Sequence, residues 1–558
     1  MSETSVPDVL KTIGFAIELD GGNPMRARAY TGAARTLKKI PDLRAARASG
    51  ELSKLKGIGK GILQIVDQVH AGQTVPKLEE LKERIPEGLF AARHLKGLGP
   101  KRLRKLWQGL DITSIGELEY ACNENRLVEL DGFGAGTQAK VLEAIAALRA
   151  RASTLRLDHA DRLAQRWIED LQERDGIERA VVTGDLRRRT ETVERVELLV
   201  VQEGLNAELL GGTAREEDGL RWADIDTDDG RVSIALCPDA ELFGAWQVLA
   251  TGSAAHVGLL RGRAEALDAG GLVVDGQEVP CWEETDVYAE LGLLPTTPER
   301  REDGVPLTER GSPRPDLVRR EDIRGLLHNH TTSSDGIHSL EEMRAAATAL
   351  GLEYLGISEH SETAMYAGGL TAERLLAQVS EIAGLPNGGC AVLSGIESDI
   401  LRDGDLDYDD DVLGALDVIV ASVHTRHGLG HDEATARMVR AAADPRVHVI
   451  GHPTGRLLSG RPPTDFDVLA MLDSAAEGGC AMELNANPQR LDLSVRYLQE
   501  CKARGIPVSI AADAHSTFAL AHVDYGVDQA RRAGLRAEDV LNCLPLAELR
   551  TWLTRPRA

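Results

Sequence analysis

The sequence lacks the features of secreted, disulfide-bonded and membrane-spanning proteins. None of its 558 residues belongs to an apolar run approaching the roughly 18 residues of a membrane span. The first residues, MSETSVPDVLKTIGF, contain no basic segment followed by an apolar one, so no secretory signal is visible. The seven cysteines include no C-x-x-C pair, which argues against a disulfide framework and against a thiolate zinc knuckle. These absences predict a cytoplasmic protein without a membrane partner, whose cysteines are reduced and mostly buried.

Positive charge is also scarce, since 64 Lys and Arg face 88 Asp and Glu, for a net charge of -24. If this deficit of positive charge were uniform along the chain, it would argue against a nucleic-acid partner. However, residues 1–150 hold 23 Lys and Arg against 18 Asp and Glu, a net +5, and the remaining residues hold -29. Histidine is distributed the other way, because 11 of the 15 lie from residue 328 onwards. The sequence therefore predicts polyanion binding near the front of the chain and metal chemistry in its last part.

Length and periodicity predict three or four domains. Up to about residue 150 the pattern is helical, with glycine turns and no alternating strand. One helix over 155–173 then precedes three strand-like segments, ERAVVTGDLRR, VERVELLVVQ and GRVSIALCP, which predict a mixed α/β sheet. Residues 287–315 are rich in proline and charge, which is typical of a linker.

Short apolar runs alternate with helical patterns after residue 318. Seven such strand-helix units predict a parallel sheet that closes as a barrel. Ser339 and Glu342 form a capping box in front of the first helix. The seven runs are IRGLLHNH, EYLGISEH, CAVLSGIE, LDVIVASVH, RVHVIGHP, CAMELNAN and IPVSIAADAH.

Three segments near the front share the form apolar, x, Gly, apolar, Gly, helix: residues 55–66, 95–107 and 130–145. Their glycines permit a tight turn whose amides and following helix N-terminus face outward, which suits a phosphate. One copy would more often be a simple link between packed helices, but three copies favour the helix-hairpin-helix, which grips DNA phosphates without reading the sequence. The residues assigned to DNA binding are Gly57, Gly59, Lys60, Gly97, Gly99, Lys101, Gly132 and Gly134.

The three turns, followed by TGDLRRRTETVERVELLV, TGSAAHVGLL and ETDVYAELGLLP, resemble the bacterial family X DNA polymerases. Members usually have G-D/S-x-R-R-G-x-E-T-x-x-D-x-D in a nucleotidyltransferase-like palm. The resemblance places the metal-binding aspartates at Arg195 and Glu197, and the third aspartate at Ser233. The residues that fit the motif are Gly184, Asp185, Arg187, Arg188, Glu191 and Thr192.

These replacements predict a degenerate palm. Nucleotidyl transfer needs two Mg²⁺ ions held by clustered carboxylates, and a fixed cation such as Arg195 repels Mg²⁺. A shifted alignment that uses Glu194 with Glu197 does not help, because two intervening residues place these side chains on different faces of a strand. We therefore expect polymerase activity to be lost.

The apolar runs of the last part end in residues that can bind metal ions. Parallel strands of a barrel present their carboxyl ends on one face, so these side chains are expected to meet there. A lone histidine at a strand end is more often structural, but nine ligands within 188 residues make coincidence improbable. Imidazole with carboxylate suits Mn, Zn or Fe, and nine ligands indicate two or three ions. The nine are His328, His330, Asp335, His360, Glu397, His424, His452, Asp513 and His515; five other histidines, His427 among them, are not at strand ends and are left out.

This last part resembles the PHP (polymerase and histidinol phosphatase) phosphoesterases, including the stretches NANPQRLDL and ADAHS. The resemblance implies a distorted (β/α)7 barrel and a division of the nine ligands. His328, His330, Glu397 and Asp513 would hold one ion; Glu397 would bridge to a second, bound by His424 and His452; and Asp335, His360 and His515 would hold the third. It makes His328, His330, Glu397, His424 and Asp513 the catalytic residues.

Two positions depart from the PHP pattern. Leu326 stands where an aspartate often precedes the first His-x-His, and Glu359 replaces the aspartate of the usual T-D-H. Both lie beside ligands, so they could loosen the site without removing a ligand. Arg456, Arg461 and Arg490, in loops after strands, are candidate phosphate clamps, with surface salt bridges an equally weighted alternative.

Together these patterns predict a multidomain homologue that acts in DNA repair as a metal-dependent 3′-to-5′ exonuclease on gapped DNA or DNA 3′ ends. A histidinol-phosphatase-like enzyme for small phosphate esters is an alternative, against which the glycine turns count. A non-catalytic DNA-end scaffold is another, against which the ligand set counts. The predicted division is a helical DNA-binding domain (1–85), a helical region with two further turns (86–152), the palm (153–245), a thumb-like region and linker (246–318) and the PHP barrel (319–558).

Overall fold

A computed structural model describes residues 5–93, 95, 97–130, 132–149, 154–174, 176–202, 207–313, 316–424 and 428–557. The chain divides into two compact units, residues 1–146 and 147–558. Every helix within the described residues is too short or too polar to cross a membrane. All seven cysteines are free and six are buried, as the sequence predicts. The predicted five-part division remains a prediction.

The described residues of the first unit form helices joined by turns. Pro24, Pro76 and Pro100 lie at the start of helices, where a missing amide costs nothing and the fixed φ suits the helix. Ser5 and Asn23 accept hydrogen bonds from first-turn amides and so cap their helices. The helices are α1 Val6–Leu19, α2 Pro24–Leu37, α3 Leu43–Ala48, α4 Lys60–His70, α5 Pro76–Lys82, α6 Glu87–Ala92, α7 Pro100–Leu110, α8 Ile115–Asn123 and α9 Ala135–Arg149.

The palm-like region, residues 154–245, contains a five-stranded mixed sheet in the order β2-β4-β7-β6-β5, in which only β4 and β7 run parallel. The three predicted strands correspond to β2, β4 and β7, whereas the hairpin of β5 and β6 was not predicted. A small pair, β1 with β3, lies beside the sheet. The elements are β1 Leu155–Arg156, α10 Leu157–Gln172, β2 Arg179–Thr183, α11 Gly184–Arg187, β3 Thr192–Val193, β4 Val196–Val201, β5 Thr213–Glu217, β6 Leu220–Thr227 and β7 Gly230–Cys237.

The prediction of a linker over 287–315 is wrong for residues 287–301, which are packed. Arg301 is fully buried and lies 2.9 Å from Glu284, and the guanidinium of Arg531 in the barrel lies 2.9 Å from Glu299. The charges that suggested a solvated linker are therefore paired. Residues 314 and 315 lie outside the described residues. The elements here are α12 Phe243–Thr251, α13 Ala254–Arg261, β8 Ala266–Asp268, β9 Gly271–Val274, β10 Gln277–Val279, α14 Glu284–Glu290, β11 Leu293–Leu294 and β12 Thr308–Glu309.

Seven parallel strands form the barrel in chain order, as predicted. Their residues are almost all buried, which is typical of a parallel sheet covered on both faces. Asn329 bridges to Ala514, so the chain after the first strand lies beside the chain after the last and the barrel nearly closes. The strands are β13 Gly325–Leu326, β14 Tyr354–His360, β15 Ala391–Asp399, β16 Val418–Ser422, β17 Val449–Ile450, β18 Ala481–Asn485 and β19 Val508–Ala511.

Helices follow the barrel strands. The predicted capping box is confirmed, since Ser339 accepts from the amide of Glu342 and Glu342 accepts from the amide of Ser339. The helices are α15 Leu340–Ala349, α16 Ala372–Ala383, α17 Asp410–Leu413, α18 His431–Ala443, α19 Val468–Gly478, α20 Val495–Arg504, α21 Val523–Ala533 and α22 Leu546–Leu553.

The barrel packs against the palm-like region within the second unit. Leu491 of the barrel is fully buried in the apolar core of the palm-like region, and Tyr525 packs against the same core. Arg189 of the palm-like region lies 2.7 Å from Asp528 of α21. An apolar insertion and an ion pair therefore join the two.

Candidate metal centre

All nine predicted ligands lie at the carboxyl ends of barrel strands and meet at one place. His360 is the last residue of β14, and its register partner on β15 is Glu397, two residues before that strand ends. The His328–His330 segment follows β13, where the amide of His330 donates to the carbonyl of Ala514 at 2.9 Å. The strand ends thus bring distant segments of the sequence together, as expected for a parallel barrel.

One group of ligands surrounds Asp513. Its Oδ1 atom lies 3.2 Å from Nε2 of His330 and 3.6 Å from Nε2 of His328. Nε2 of His328 is also 3.3 Å from Oε1 of Glu397. These four side chains form the set that the sequence assigned to the first ion.

A second group is centred on Oε1 of Glu397. His452 approaches this oxygen to 2.9 Å and His424 to 3.1 Å, each through Nε2. The same oxygen also faces His328, so Glu397 adjoins both groups, and its role as a bridge between two ions remains a prediction.

Asp335 is at the centre of a third group. Its carboxylate lies 3.3 Å from Nε2 of His360 and 3.2 Å from Nε2 of His515. His330 adjoins this group too, with Nδ1 at 3.9 Å from Asp335. The three side chains predicted to hold the third ion therefore lie close together. Some ligands belong to more than one of the three groups.

The donor set fits divalent ions. Buried ring nitrogens of His328, His330, His360, His424 and His452 and one oxygen of Glu397 have no hydrogen-bond partner, although buried polar atoms normally have one. Within the described residues, the three groups of side chains able to hold a metal ion all lie here. Lone pairs that face one another without donors are satisfied when a cation lies between them.

The protonation states of these groups are coupled. Burial lowers the pKa of His330 and of His452 to about 3, so both rings are neutral near pH 7. For His328, His360 and His424 the neighbouring carboxylates outweigh burial and raise the pKa, so these three rings must release a proton to bind a metal ion. Burial alone would raise the pKa of Glu397, but the rings of His424, His328 and His360 outweigh it and hold this pKa well below its ordinary value. Neutral imidazole and ionised carboxylate are the forms that bind metals.

Sequence reasoning missed the residues that orient the ligands. Oε2 of Glu483 lies 2.8 Å from Nδ1 of His328, and Oε1 accepts from the amide of His452 at 3.0 Å. Asn485 donates to Asp513 at 3.0 Å, and Asp399 accepts from the backbone amide of His424 at 3.1 Å. A glutamate among the apolar residues that begin the run CAMELNAN was the available signal for Glu483. Such partners fix the ring orientation of a ligand.

The structure shows what surrounds the two residues that depart from the PHP pattern. Leu326 is fully buried in the barrel core, and Glu483, from a different strand, contacts the nearby His328. Glu359 is fully buried and accepts hydrogen bonds from Thr331, Ser334 and Gln378. Glu359 thereby fixes the turn after His330. His427, left out of the ligand set, lies outside the described residues.

The three predicted arginine clamps have different environments. Arg490 is 2% exposed, with Nε 3.9 Å from Oδ2 of Asp513, so it adjoins the metal centre. Arg461 donates to the carbonyl of Gly455, and Arg456 lies 2.7 Å from Glu191 of the palm-like region. Phosphate binding by these three remains a prediction, for which Arg490 has the most favourable position.

The palm-like region brings Glu197 and Ser233 together as register partners on β4 and β7. Burial and the neighbouring Asp185 raise the pKa of Glu197 to about 7. The hydroxyl of Ser233 donates to Asp224 at 2.6 Å, and Arg215 donates to the same carboxylate at 2.7 Å. Asp224, on the unpredicted strand β6, is thus already paired with a cation. Among the described residues, this region contains no group placed to hold a metal ion.

The three glycine turns have the same backbone geometry. Gly57, Gly97 and Gly132 have φ of 88°, 89° and 87°, a conformation that L side chains rarely adopt. Gly59 and Gly99 precede α4 and α7 without any side-chain cap, so the first-turn amides of these helices are left to water or a ligand. The remaining predicted residues, Lys60, Lys101 and Gly134, are exposed.

Comparisons with known proteins agree with these observations. A family model described as "Helix-hairpin-helix domain" matches residues 1–75. The DNA polymerase/3'-5' exonuclease PolX of Bacillus subtilis is 32% identical over 577 aligned positions that cover all of both chains. A probable phosphatase of Syntrophotalea carbinolica is 27% identical over 229 residues, 39% of this chain and 90% of its own length. The probable phosphatase YcdX of Shigella dysenteriae serotype 1 is 28% identical over 233 residues, 39% of this chain and 89% of its own length. The resemblances noted in the sequence are therefore confirmed, over the whole chain with one relative and over the C-terminal part with the phosphatases.

Proposed function

This chain belongs to the PolX family, the family X DNA polymerases with a PHP exonuclease domain, and from that premise we propose that the barrel is its working catalytic centre. In this proposal the barrel is a metal-dependent phosphodiesterase that removes nucleotides from DNA 3′ ends during repair in the cytoplasm. The observation that supports it most is the set of nine ligands gathered at one end of the barrel, eight of them buried, whose donor atoms form overlapping groups.

Two or three divalent ions, Mn or Zn with Fe as a further candidate, would be held by the three groups around Asp513, Glu397 and Asp335. Bound ions of this kind lower the pKa of water and withdraw charge from phosphate oxygens. Glu397 and Asp513 fix the spacing of the site, and Glu483 holds the ring of His328. Arg490 is positioned to bind a phosphate oxygen, because its guanidinium is buried beside Asp513.

We propose that the palm-like region has lost nucleotidyl transfer. Two-metal chemistry needs ionised carboxylates that share two ions. Here Glu197 has a pKa of about 7, Asp224 is paired with Arg215, and the two other family positions are Arg195 and Ser233.

The first unit provides the grip on DNA in this proposal. Its three exposed glycine turns and its Lys60 and Lys101 suit phosphates of any sequence. The barrel would supply hydrolysis and depend on the first unit for DNA affinity.

Purified protein with Mn²⁺ is expected to shorten the labelled primer strand of a gapped duplex and to release mononucleotides. EDTA is expected to abolish the reaction, because the proposed hydrolysis needs the metal ions that these ligands would hold. The measurement is a denaturing gel of the labelled strand, run with and without dNTPs, beside hydrolysis of p-nitrophenyl phosphate and bis(p-nitrophenyl) phosphate.

The substrates separate the alternatives. Hydrolysis of the monoester alone, with an intact primer, would support a phosphatase for small esters. DNA binding without hydrolysis of any substrate would support the scaffold.

DNA affinity is expected to fall steeply with salt. If each of the three turns neutralises one or two phosphates, the slope of log K against log salt concentration is about -3 to -5. The double substitution Lys60→Gln and Lys101→Gln should make this slope shallower by about 2 units, because each lysine would release about one counterion. The measurement is a filter-binding salt titration on two unrelated duplex sequences.

Lys77→Gln with Lys82→Gln is the matched control. It removes the same charge from the same unit, but both lysines lie on α5, away from the glycine turns, and are paired with Glu80 and Glu79. An equal change of slope in the two double variants would refute the role of the turns.

A further inference from the structure

We propose that Glu191 of the palm-like region is a positioning residue for the metal centre of the barrel. It acts through Arg456, whose guanidinium holds the loop of residues 485–492 beside Asp513. The inference rests on the proposed phosphodiesterase function of the barrel. It gives the palm-like region a task that needs no metal ion of its own.

Arg456 joins the two regions. Its Nη2 atom lies 2.7 Å from Oε1 of Glu191, and both side chains are largely buried, at 13% and 23% exposure. The same guanidinium donates to the carbonyl of Arg490 at 3.1 Å and to the carbonyl of Leu491. One cation is therefore shared between an acid of the palm-like region and two consecutive carbonyls of the barrel loop.

The loop has a second anchor in the palm-like region. Leu491 has no exposed surface and is part of the apolar core that includes Leu186 and Val193. Its φ of 45° lies in the left-handed region, which a leucine adopts only when its surroundings hold it there. The loop conformation consequently depends on the palm-like region.

The other side of the loop contacts the metal ligands. Asn485 donates to Asp513 at 3.0 Å, and Arg490 lies 3.9 Å from the same carboxylate. Asp492 accepts hydrogen bonds from the amide and the hydroxyl of Thr454, two residues after the ligand His452. A shift of the loop therefore displaces groups around two different ligands.

Glu191 is the acid that holds Arg456 in this position. Without its charge, the guanidinium stays largely buried with the carbonyls of Arg490 and Leu491 as hydrogen-bond acceptors and Asp492 as the remaining nearby acid, a less favourable state that it can relieve by turning towards water. The carbonyls of Arg490 and Leu491 would then lose their donor. A misplacement of about 1 Å in a catalytic site can lower a rate about 100-fold.

Glu191→Gln tests the proposal, because glutamine keeps the shape and removes the charge. The first measurement is amide hydrogen exchange of residues 485–493 in the metal-free protein, which is independent of hydrolysis and should become faster. The second is hydrolysis of bis(p-nitrophenyl) phosphate with Mn²⁺, for which we expect kcat to fall about 10-fold or more with KM nearly unchanged. Glu191→Asp keeps the charge and should recover part of both properties.

Asp528→Asn is the matched control. It breaks a second ion pair between the palm-like region and the barrel, Arg189 with Asp528 at 2.7 Å, whose side chains have similar exposure at 22% and 20%. Asp528→Asn should lower the midpoint of thermal unfolding, as Glu191→Gln does. It should leave amide hydrogen exchange of the loop and kcat at their wild-type values.

Three results would overturn the proposal: wild-type loop exchange in Glu191→Gln, wild-type kcat in that variant, or the same loop and kcat changes in Asp528→Asn. Failure of the proposed function has a different signature. In that case the wild-type protein hydrolyses no phosphodiester, while faster exchange of residues 485–493 in Glu191→Gln still supports the positioning role.

Discussion

Replacing Glu397 by glutamine is expected to lower hydrolysis of DNA 3′ ends about 1,000-fold or more while the barrel stays folded. Both oxygens of this carboxylate face imidazoles: His452, His424 and His328 lie 2.9, 3.1 and 3.3 Å from Oε1, and His360 lies 2.9 Å from Oε2. Glutamine fills the same volume but cannot bridge two cations with a negative charge. Losses of this size are typical when an essential catalytic group is removed.

The measurement is release of labelled nucleotide with Mn²⁺, together with metal content by mass spectrometry and the thermal midpoint. Glu477→Gln is the control, because Glu477 is an exposed glutamate of α19 in the same barrel. His328→Ala and Asp513→Ala should behave like Glu397→Gln, since each removes a ligand of the same ion. Wild-type hydrolysis in any of these three variants would show that the ligand assignment is wrong.

No measurable primer extension is the second expected result, with Mg²⁺ or Mn²⁺, all four dNTPs and a primed gap. The assay uses His424→Ala, so that hydrolysis by the barrel cannot remove newly added nucleotides. The reason lies in the palm-like region: Arg195 places a cation at a family metal position, Ser233 replaces a second carboxylate, and Asp224 is bonded to Arg215. Electrostatic repulsion of Mg²⁺ there leaves the triphosphate without its counterions.

A second substitution, added to the His424→Ala background, makes this test sharper. Any trace of extension is compared with the same background carrying Glu197→Gln, which removes the carboxylate that occupies a family metal position. Extension that disappears with Glu197→Gln would show that this region still holds ions. It would refute the proposed loss of polymerase activity.

Most of the ligands could be predicted from the sequence because they lie near the end of a buried strand or soon after it, and parallel strands present these ends together. Glu483 has the same position on β18 but was overlooked, since its partners His328 and His452 lie far away along the chain. Asp224 was overlooked for a different reason. Its strand lies within a charged stretch, AREEDGLRWADIDTDDG, whose pattern alone does not distinguish a strand from a loop.

The prediction of a linker was wrong because local composition says nothing about distant partners. Prolines and charges near Glu299 resemble a solvated segment, but the partner of Glu299 is Arg531, more than 200 residues later in the chain. Arg300 likewise donates to the carbonyl of Arg532. Such pairings exist only in the folded protein. By contrast, the glycine turns are local, so their conformation follows from a few neighbouring residues.

The bridge between Asn329 and Ala514 fixes when this enzyme can become active during its synthesis. His328 and His330 leave the ribosome almost 200 residues before Asp513 and His515, with which they share ions in the proposed centre. A nascent chain that ends before β19 therefore has histidines but no closed barrel and no complete ion site. The first unit, to which we assign DNA binding, folds first, because N-terminal domains fold first during translation. The proposed nuclease centre is completed only after nearly the whole polypeptide has emerged, so under this proposal an interrupted translation product would bind DNA without cutting it.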